Sequence, residues 1–271
     1  MTLRHLLLLF LVALLPGAVP VHVMAQPGAF AASIEQLAGE DHLYTIDFLI
    51  FTHLAEGQLR FFETDRPGIF CAELAGRTLG AISWLTSERT QTYTSFMERT
   101  PAGPLRSIEY VSSVVKRRWG VWRKREHHYL FDYEQGKVSD ELAVDGHTRS
   151  KTVHDIPDGQ HPVDILTALY NLRTGAYGPL VRGTRLQIPT YSRGEFTAIE
   201  TEVMTVEQQG EQSYFPSQGL LIRVKVDPEI FGTGSGKLYV WFDEAGIPQR
   251  GIVEDLIGIG DIRGHKIMEG S

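Results

Sequence analysis

Most of this chain alternates. Residues 43–52 put Tyr44, Ile46, Phe48 and Ile50 on one face of an extended segment, while Leu49 and Phe51 load the other. That pattern predicts a strand covered on both sides near its end. Gly57 then reads as a turn into a strand at 58–64, and Pro67-Gly68 as a turn into one at 69–74. Further alternating runs occupy 78–85, 91–98, 107–116 and 121–133, interrupted by the loop 101–104 and closed by Gln135-Gly136. The connection from Leu142 to His161 is polar and holds Gly146, Pro157 and Gly159, so it reads as a loop. After it, strands are predicted at 185–190, 196–207, 219–226, 238–242, 249–257 and 261–266. Short turns and no alternating helices argue for antiparallel pairing.

One stretch breaks the pattern. In residues 161–175, Ile165, Leu166, Leu169, Tyr170 and Leu172 recur at helical spacing. Pro162 suits a first helical position, Asp164 places a negative charge in the first turn, and Gly175 supplies a stop. The expected fold is all-β with one central helix: a strongly curved antiparallel sheet, or a partly closed barrel, wrapped on a helix at 162–174. Residues 26–41 read as a flexible arm with a short helical piece at 32–37, ahead of a single β-rich domain over 42–271.

Residues 1–25 change where this domain is expected to work. Arg4 and His5 precede the apolar run 6–15, Pro16-Gly17 breaks it, and Val23-Met24-Ala25 offers a cleavage site before Gln26. The run is too short and too interrupted for a membrane span. A secretory signal peptide cleaved after Ala25, and a periplasmic location, follow as expectations. The whole chain of 271 residues carries 26 basic against 33 acidic residues, a net charge of −7, so no global attraction to nucleic acid is expected. Cys71 is the only cysteine; in GIFCAEL it reads as a small core residue, and no internal disulfide is possible.

Candidate chemistry is sparse. Residues 232–237, GTGSGK, imitate a phosphate loop, but Phe231 and Leu238 stand where a glycine and a hydroxyl residue belong, and a strand follows where a helix should. The histidines at 127, 128, 147, 154 and 161 lack metal-ligand spacing, and no nucleophile elbow accompanies Ser235. No cofactor, metal or catalytic group is expected. The segment 116–125, KRRWGVWRKR, holds six cations and two tryptophans within an acidic protein. It is either a solvated strand whose charges discourage edge pairing or a patch for anionic lipid headgroups or an anionic polysaccharide. On the second reading Arg118, Trp119, Trp122 and Arg123 stand at the mouth of a binding site, with Tyr170 and Trp241 in its lining.

The opening strand 44–50 followed by Gly57, the helix DILTALYNLR and the closing stretch LYVWFDEAGIPQRGIVEDLIGIGDIRG together resemble the bacterial exported family called domain of unknown function 3108. The resemblance covers about 43–266 and implies an exported, mostly antiparallel β protein similar to envelope carriers, without implying a reaction. Its matching positions, Asp164, Tyr170, Arg173, Trp241, Pro248 and Gly260, serve folding as well as they would serve a ligand. The expected function is a non-catalytic envelope module that binds or carries a lipid or glycolipid, with at most peripheral membrane contact. The alternatives are an assembly protein that holds an envelope partner and a polysaccharide-active enzyme, which needs two facing carboxylates.

Overall fold

The alternating segments pair into one sheet. A computed structural model describes residues 31–49, 51–79, 89–118, 120–226, 236–255 and 260–268. The leader expected at 1–25, Trp119, most of the strand expected at 78–85 and residues 232–235 lie outside them. Fourteen antiparallel strands are β1 (Glu40–Phe48), β2 (Phe51–Glu63), β3 (Ile69–Thr78), β4 (Arg89–Arg99), β5 (Leu105–Arg118), β6 (Val121–Asp132), β7 (Lys137–Val144), β8 (His147–Asp155), β9 (Arg185–Ser192), β10 (Glu195–Val203), β11 (Leu220–Lys225), β12 (Lys237–Phe242), β13 (Pro248–Val253) and β14 (Ile262–Lys266). Their order is β8 through β1 in reverse, then β14 through β9 in reverse, so β8 and β9 are the two edges. The first block joins the second where β1 pairs with β14, Ile46 opposite Gly264.

The hydrogen-bond ladder does not close into a barrel: β8 and β9 are not paired. Side chains from the β9 end nevertheless reach the other block. Tyr191 of β9 meets the rings of Tyr129 edge-on at 5.2 Å and Phe131 at 6.4 Å, and its hydroxyl donates to Asp140 of β7 at 3.2 Å. The backbone N–H of Arg193 donates to the Tyr129 hydroxyl at 3.0 Å. The outer edge of β9 is partly occupied by Val163, which bridges to Thr190. Edge β8 stays open and is blunted by His147, Arg149 and Lys151.

Four expectations are corrected. The polar stretch 142–161 is not one loop. It contains the end of β7, a tight turn with Asp145 and Gly146 both at positive φ, and all of β8. An edge strand exposed along nearly its whole length has no apolar face, and its pattern resembles a loop. Gly57 is not a turn; it lies inside β2 opposite Tyr44, and the chain reverses at Leu49 instead, whose φ is 54°. Leu49 and Phe51 are therefore not buried on a second face but exposed at that reversal. Finally, the strand expected over 196–207 stops at Val203 and is followed by a short helix, α3 (Val206–Gly210), with a Thr205–Gln208 capping box.

Among the described residues two other helices precede it. The segment read as an arm supplies α1 (Ile34–Leu37), capped by Ser33, with Ile34 and Leu37 buried. The main helix, α2 (Ile165–Arg173), begins later than Pro162 because Asp164 is its N-cap. One Asp164 oxygen accepts from the N–H groups of Leu166 and Thr167 at 2.9 and 3.0 Å. The other accepts from the hydroxyls of Ser95 in β4 at 2.7 Å, Ser107 in β5 at 2.6 Å and Thr167 at 2.7 Å. Asn171 exchanges hydrogen bonds with both backbone groups of Leu105 at 2.8 Å. Tyr170 stacks on Phe61 at 4.0 Å inside the largest apolar cluster, which draws on α1, α2 and β2 to β7. A second apolar layer lies on the opposite face of the sheet, where Met204 and Phe215 cover Leu221, Tyr239 and Ile252.

Arg173 and Asp164 are too far apart on α2 to pair, and each finds its own partner. The Arg173 guanidinium forks onto Glu40 at 2.6 and 2.7 Å and donates to the Gly246 carbonyl at 2.9 Å, tying the helix end to β1 and to the β12–β13 turn. Burial pushes the Glu40 carboxyl up, but its bonds to Arg173 and His42 outweigh that and hold it down at about 2. A group depressed in the folded state stabilises the fold above its unfolded value and loses that contribution as pH falls. Urea unfolding is expected to show wild type more stable than Glu40→Gln by about 3 kcal/mol near neutrality. That gap shrinks as pH drops through 4.5 toward about 2; a gap independent of pH contradicts the assignment.

Candidate functional site

Two adjoining hollows lie on the inner face, where strand alternation sends every second side chain. The first, about 320 Å³, is walled by Leu59 and Leu74 of the first block, Ile222, Val224, Leu238 and Val240 of the second, and Leu166, Leu169 and Leu172 of α2. Its wall also contains Gly57, Gly251 and Gly264 on β2, β13 and β14. None of the three has a left-handed φ, so backbone conformation does not demand glycine there. A Cβ at Gly57 would meet only ordinary contacts, Ile46 and Tyr44 at 3.6 Å. No side chain projects into the hollow from these three inward positions, which leaves its space open.

The second hollow, about 490 Å³, shares Tyr93, Ile165 and Ile199 with the first. A row of tyrosines crosses its strands: Tyr93 to Tyr110 at 6.3 Å, Tyr110 to Tyr129 at 5.5 Å, and Tyr129 to Tyr191. Toward the rim formed by the β4 start, the β5 end and the β6 start, the lining turns cationic, with Arg89, Lys116, Arg123, Arg125 and Arg193. Arg123 pairs with Asp145 at 2.6 Å and Arg89 donates to Gln91. The side chains of Lys116 and Arg125 make no ion pair with the described residues. The lining is therefore greasy at one end and positive at the other.

Asp164 is the one carboxylate among the described lining residues of the two hollows. Both of its oxygens are already occupied by five donors. The facing pair of free carboxylates that a polysaccharide hydrolase needs is not present in this lining. Asp140 lies nearby, 4.0 Å from His127 Nδ1 and bound to Tyr191. Among the described residues no group of three His, Cys, Asp or Glu side chains is arranged to hold a metal. Cys71 is buried in β3, and burial, followed by the charge of Glu73, pushes its thiol up to about 12.

The residues singled out in the sequence are dispersed. Arg123 faces the cationic hollow. Trp122, its neighbour, faces the other side, where Arg117 lies over its ring at 5.8 Å. Arg118 ends β5, and Trp119 lies outside the described residues. Tyr170 is wholly buried against Phe61 and lines neither hollow. Trp241 lies on the outer face with the Leu221 layer and donates its indole N–H to Gln218 at 2.7 Å. Sequence reasoning missed the tyrosine row and the three inward glycines. The signal was there in both cases, as period-two spacing from Arg123 through Tyr129 and as glycine inside an otherwise alternating strand.

A family model described as "Protein of unknown function (DUF3108)" matches residues 44–263. The chain belongs to that family. No curated protein sequence matches the DUF3108 chain. Among solved structures it is similar to a β-barrel-like protein of the DUF1849 family from Brucella abortus, at 10% identity and a TM-score of 0.49 over 85% of this chain and 96% of that one. A DUF1089 family protein from Pseudomonas aeruginosa aligns over 78% of this chain and 89% of its own, at 12% identity and a TM-score of 0.25. Likenesses this distant carry no argument about the DUF3108 site, which rests on its own geometry.

That geometry has a spectroscopic consequence. Burial raises the phenols of Tyr93 and Tyr129 to about 12 and lifts Tyr110 well above its ordinary value. The remaining seven tyrosines are raised as well, first by burial. Phenolate absorbance is expected to stay nearly flat through about pH 10, where free tyrosine is half ionised, and to climb only around pH 12 and with unfolding. A large step near pH 10 in the folded protein contradicts the buried tyrosine row.

Proposed function

We propose that this DUF3108 protein is an exported, non-catalytic module that binds or carries an amphipathic envelope ligand, a lipid or glycolipid with an anionic head. The observation that carries the reading is that an almost wholly apolar hollow and a cationic one lie side by side, with Tyr93, Ile165 and Ile199 in the walls of both. An acyl chain belongs in the first, because its alternative is water. A phosphate or carboxylate belongs in the second, where Lys116 and Arg125 have no anionic partner of their own among the described residues. The curved sheet wraps on α2, whose Leu169 and Leu172 form part of the floor beneath the chain. The leader expected at 1–25 supports a periplasmic location, where such ligands occur.

The test uses the anionic fluorescent fatty acid cis-parinaric acid and two variants. Gly57→Leu puts a branched side chain into the apolar hollow from a backbone that tolerates it. The double variant Lys116→Glu/Arg125→Glu reverses the unpaired charges at the other end. Each is expected to weaken binding by about tenfold or more, with thermal unfolding near that of wild type. Binding absent in wild type, or equal in all three proteins, overturns the proposal.

A further inference from the structure

The inward side chains of β5 change character step by step across the second hollow: Tyr110, Ser112, Val114, then Lys116. On β6, His127 stands opposite Ser112 and Arg125 opposite Val114. Tyr93 of β4, in the wall of both hollows, faces Ser112 from the other side. Each step of two residues covers about 7 Å of strand, so the level of Tyr93 lies about 7 Å short of Arg125 and about 13 Å short of Lys116. The band in between holds neutral polar groups. Three of these have no hydrogen-bond partner among the described residues: the hydroxyls of Tyr110 and Ser112, and the imidazole of His127, whose Nδ1 stays 4.0 Å from Asp140. Tyr110 is only 6% exposed, yet its hydroxyl oxygen remains accessible from the hollow. Neighbouring groups are satisfied within the protein, because Gln91 donates to Tyr93, the Arg193 N–H to Tyr129, and Tyr191 to Asp140. Buried polar groups are normally paired, and three adjoining unpaired ones facing a single space point to a ligand that pairs them.

We infer that the head of the carried ligand is a saccharide that holds its anion on the side away from the tail, as in an acylated sugar acid or sugar phosphate. This rests on the carrier reading and narrows its ligand class. A carboxylate joined directly to a tail that ends at Tyr93 meets hydroxyls and an imidazole there, not a cation. A hexose ring bridges that band, offers several hydroxyls to Tyr110, Ser112 and His127, and delivers a carboxylate or phosphate to Arg125 and Lys116. The acids nearby are already engaged. Asp164, the one carboxylate among the described lining residues, is shared by five donors. Asp140 accepts from Tyr191, and Asp145 pairs with Arg123. A fatty acid or a plain phosphatidyl lipid brings the negative charge but leaves the band of hydroxyls unmatched.

The experiment is displacement of cis-parinaric acid, whose longer chain crosses the polar band with its own methylenes, by three dodecyl compounds below their micelle concentrations. Dodecanoate is an anion without a sugar, dodecyl glucoside a sugar without an anion, and dodecyl glucuronide has both. Their chain suits the apolar hollow: at about 30 Å³ for each carbon, about the room of a water molecule, its 320 Å³ hold about eleven. Dodecyl glucuronide is expected to displace the probe at a concentration about tenfold lower than either of the others. In Tyr110→Phe/Ser112→Ala the affinity ratio of glucuronide to dodecanoate is expected to fall toward one. Tyr110→Phe alone, which keeps the ring row, is expected to lower that ratio about threefold. Dodecanoate or dodecyl glucoside binding as tightly as the glucuronide, or a ratio unchanged in both variants, would overturn the inference while leaving the carrier reading in place. A wild-type protein that does not bind cis-parinaric acid at all would overturn the two together.

Discussion

A buried carboxylate fixes where helix α2 sits, and the interior follows from that. Asp164 caps α2 and at the same time collects hydroxyls from β4 and β5. An isolated charge buried like this is costly, and it is tolerated because five donors share it. Nine residues later Arg173 makes the reciprocal contact with β1 and the β12–β13 turn. The helix is therefore held at both ends by polar contacts with defined geometry, while its Tyr170 ring stacks on Phe61 of β2. Apolar packing alone is non-directional and would let a nine-residue helix settle deeper among the inward side chains. The polar ties set its position and leave room beyond it.

That room is kept open by omission. Gly57, Gly251 and Gly264 stand at inward strand positions where neighbours carry leucine, isoleucine or valine. Strand glycines weaken a sheet and bury nothing; a Cβ at Gly251 would crowd the Tyr239 carbonyl at 3.3 Å, but at Gly57 and Gly264 one would meet only ordinary contacts, and those two are a cost that stability does not explain. A sheet that needed only a solid core would fill them. The gradient from this apolar end to the rim cations, along the tyrosine row, gives the space a direction, and a ligand with a tail and a negative head matches it.

Much of this was legible in the chain. The antiparallel class, the turns at Pro67-Gly68, 101–104, Gln135-Gly136 and Ser192–Gly194, and the helix with its apolar face all follow from periodicity, and the inert burial of Cys71 follows from its context. One edge strand was not legible: β8 has no buried face, so nothing in its pattern separates it from a loop. Gly57 was misread because a glycine in an alternating run signals a turn and a vacated inward position equally well, and only the pairing partner decides. The basic aromatic segment was visible as a feature, yet its division between two faces depends on the register across Gly120, which places Arg123 inside and Trp122 outside. Trp241 was assigned by its neighbours in sequence, and the parity of β12 puts it on the far side from Val240.

The central claim is that the space between the two blocks is a ligand site, not a packing remnant. The most direct measurement is the intact native mass of the protein taken from its own envelope by gentle extraction. The account predicts a species heavier than the polypeptide by one lipid-sized ligand, lost on denaturation. A polypeptide mass alone, with no adduct under conditions that keep the fold intact, would contradict it.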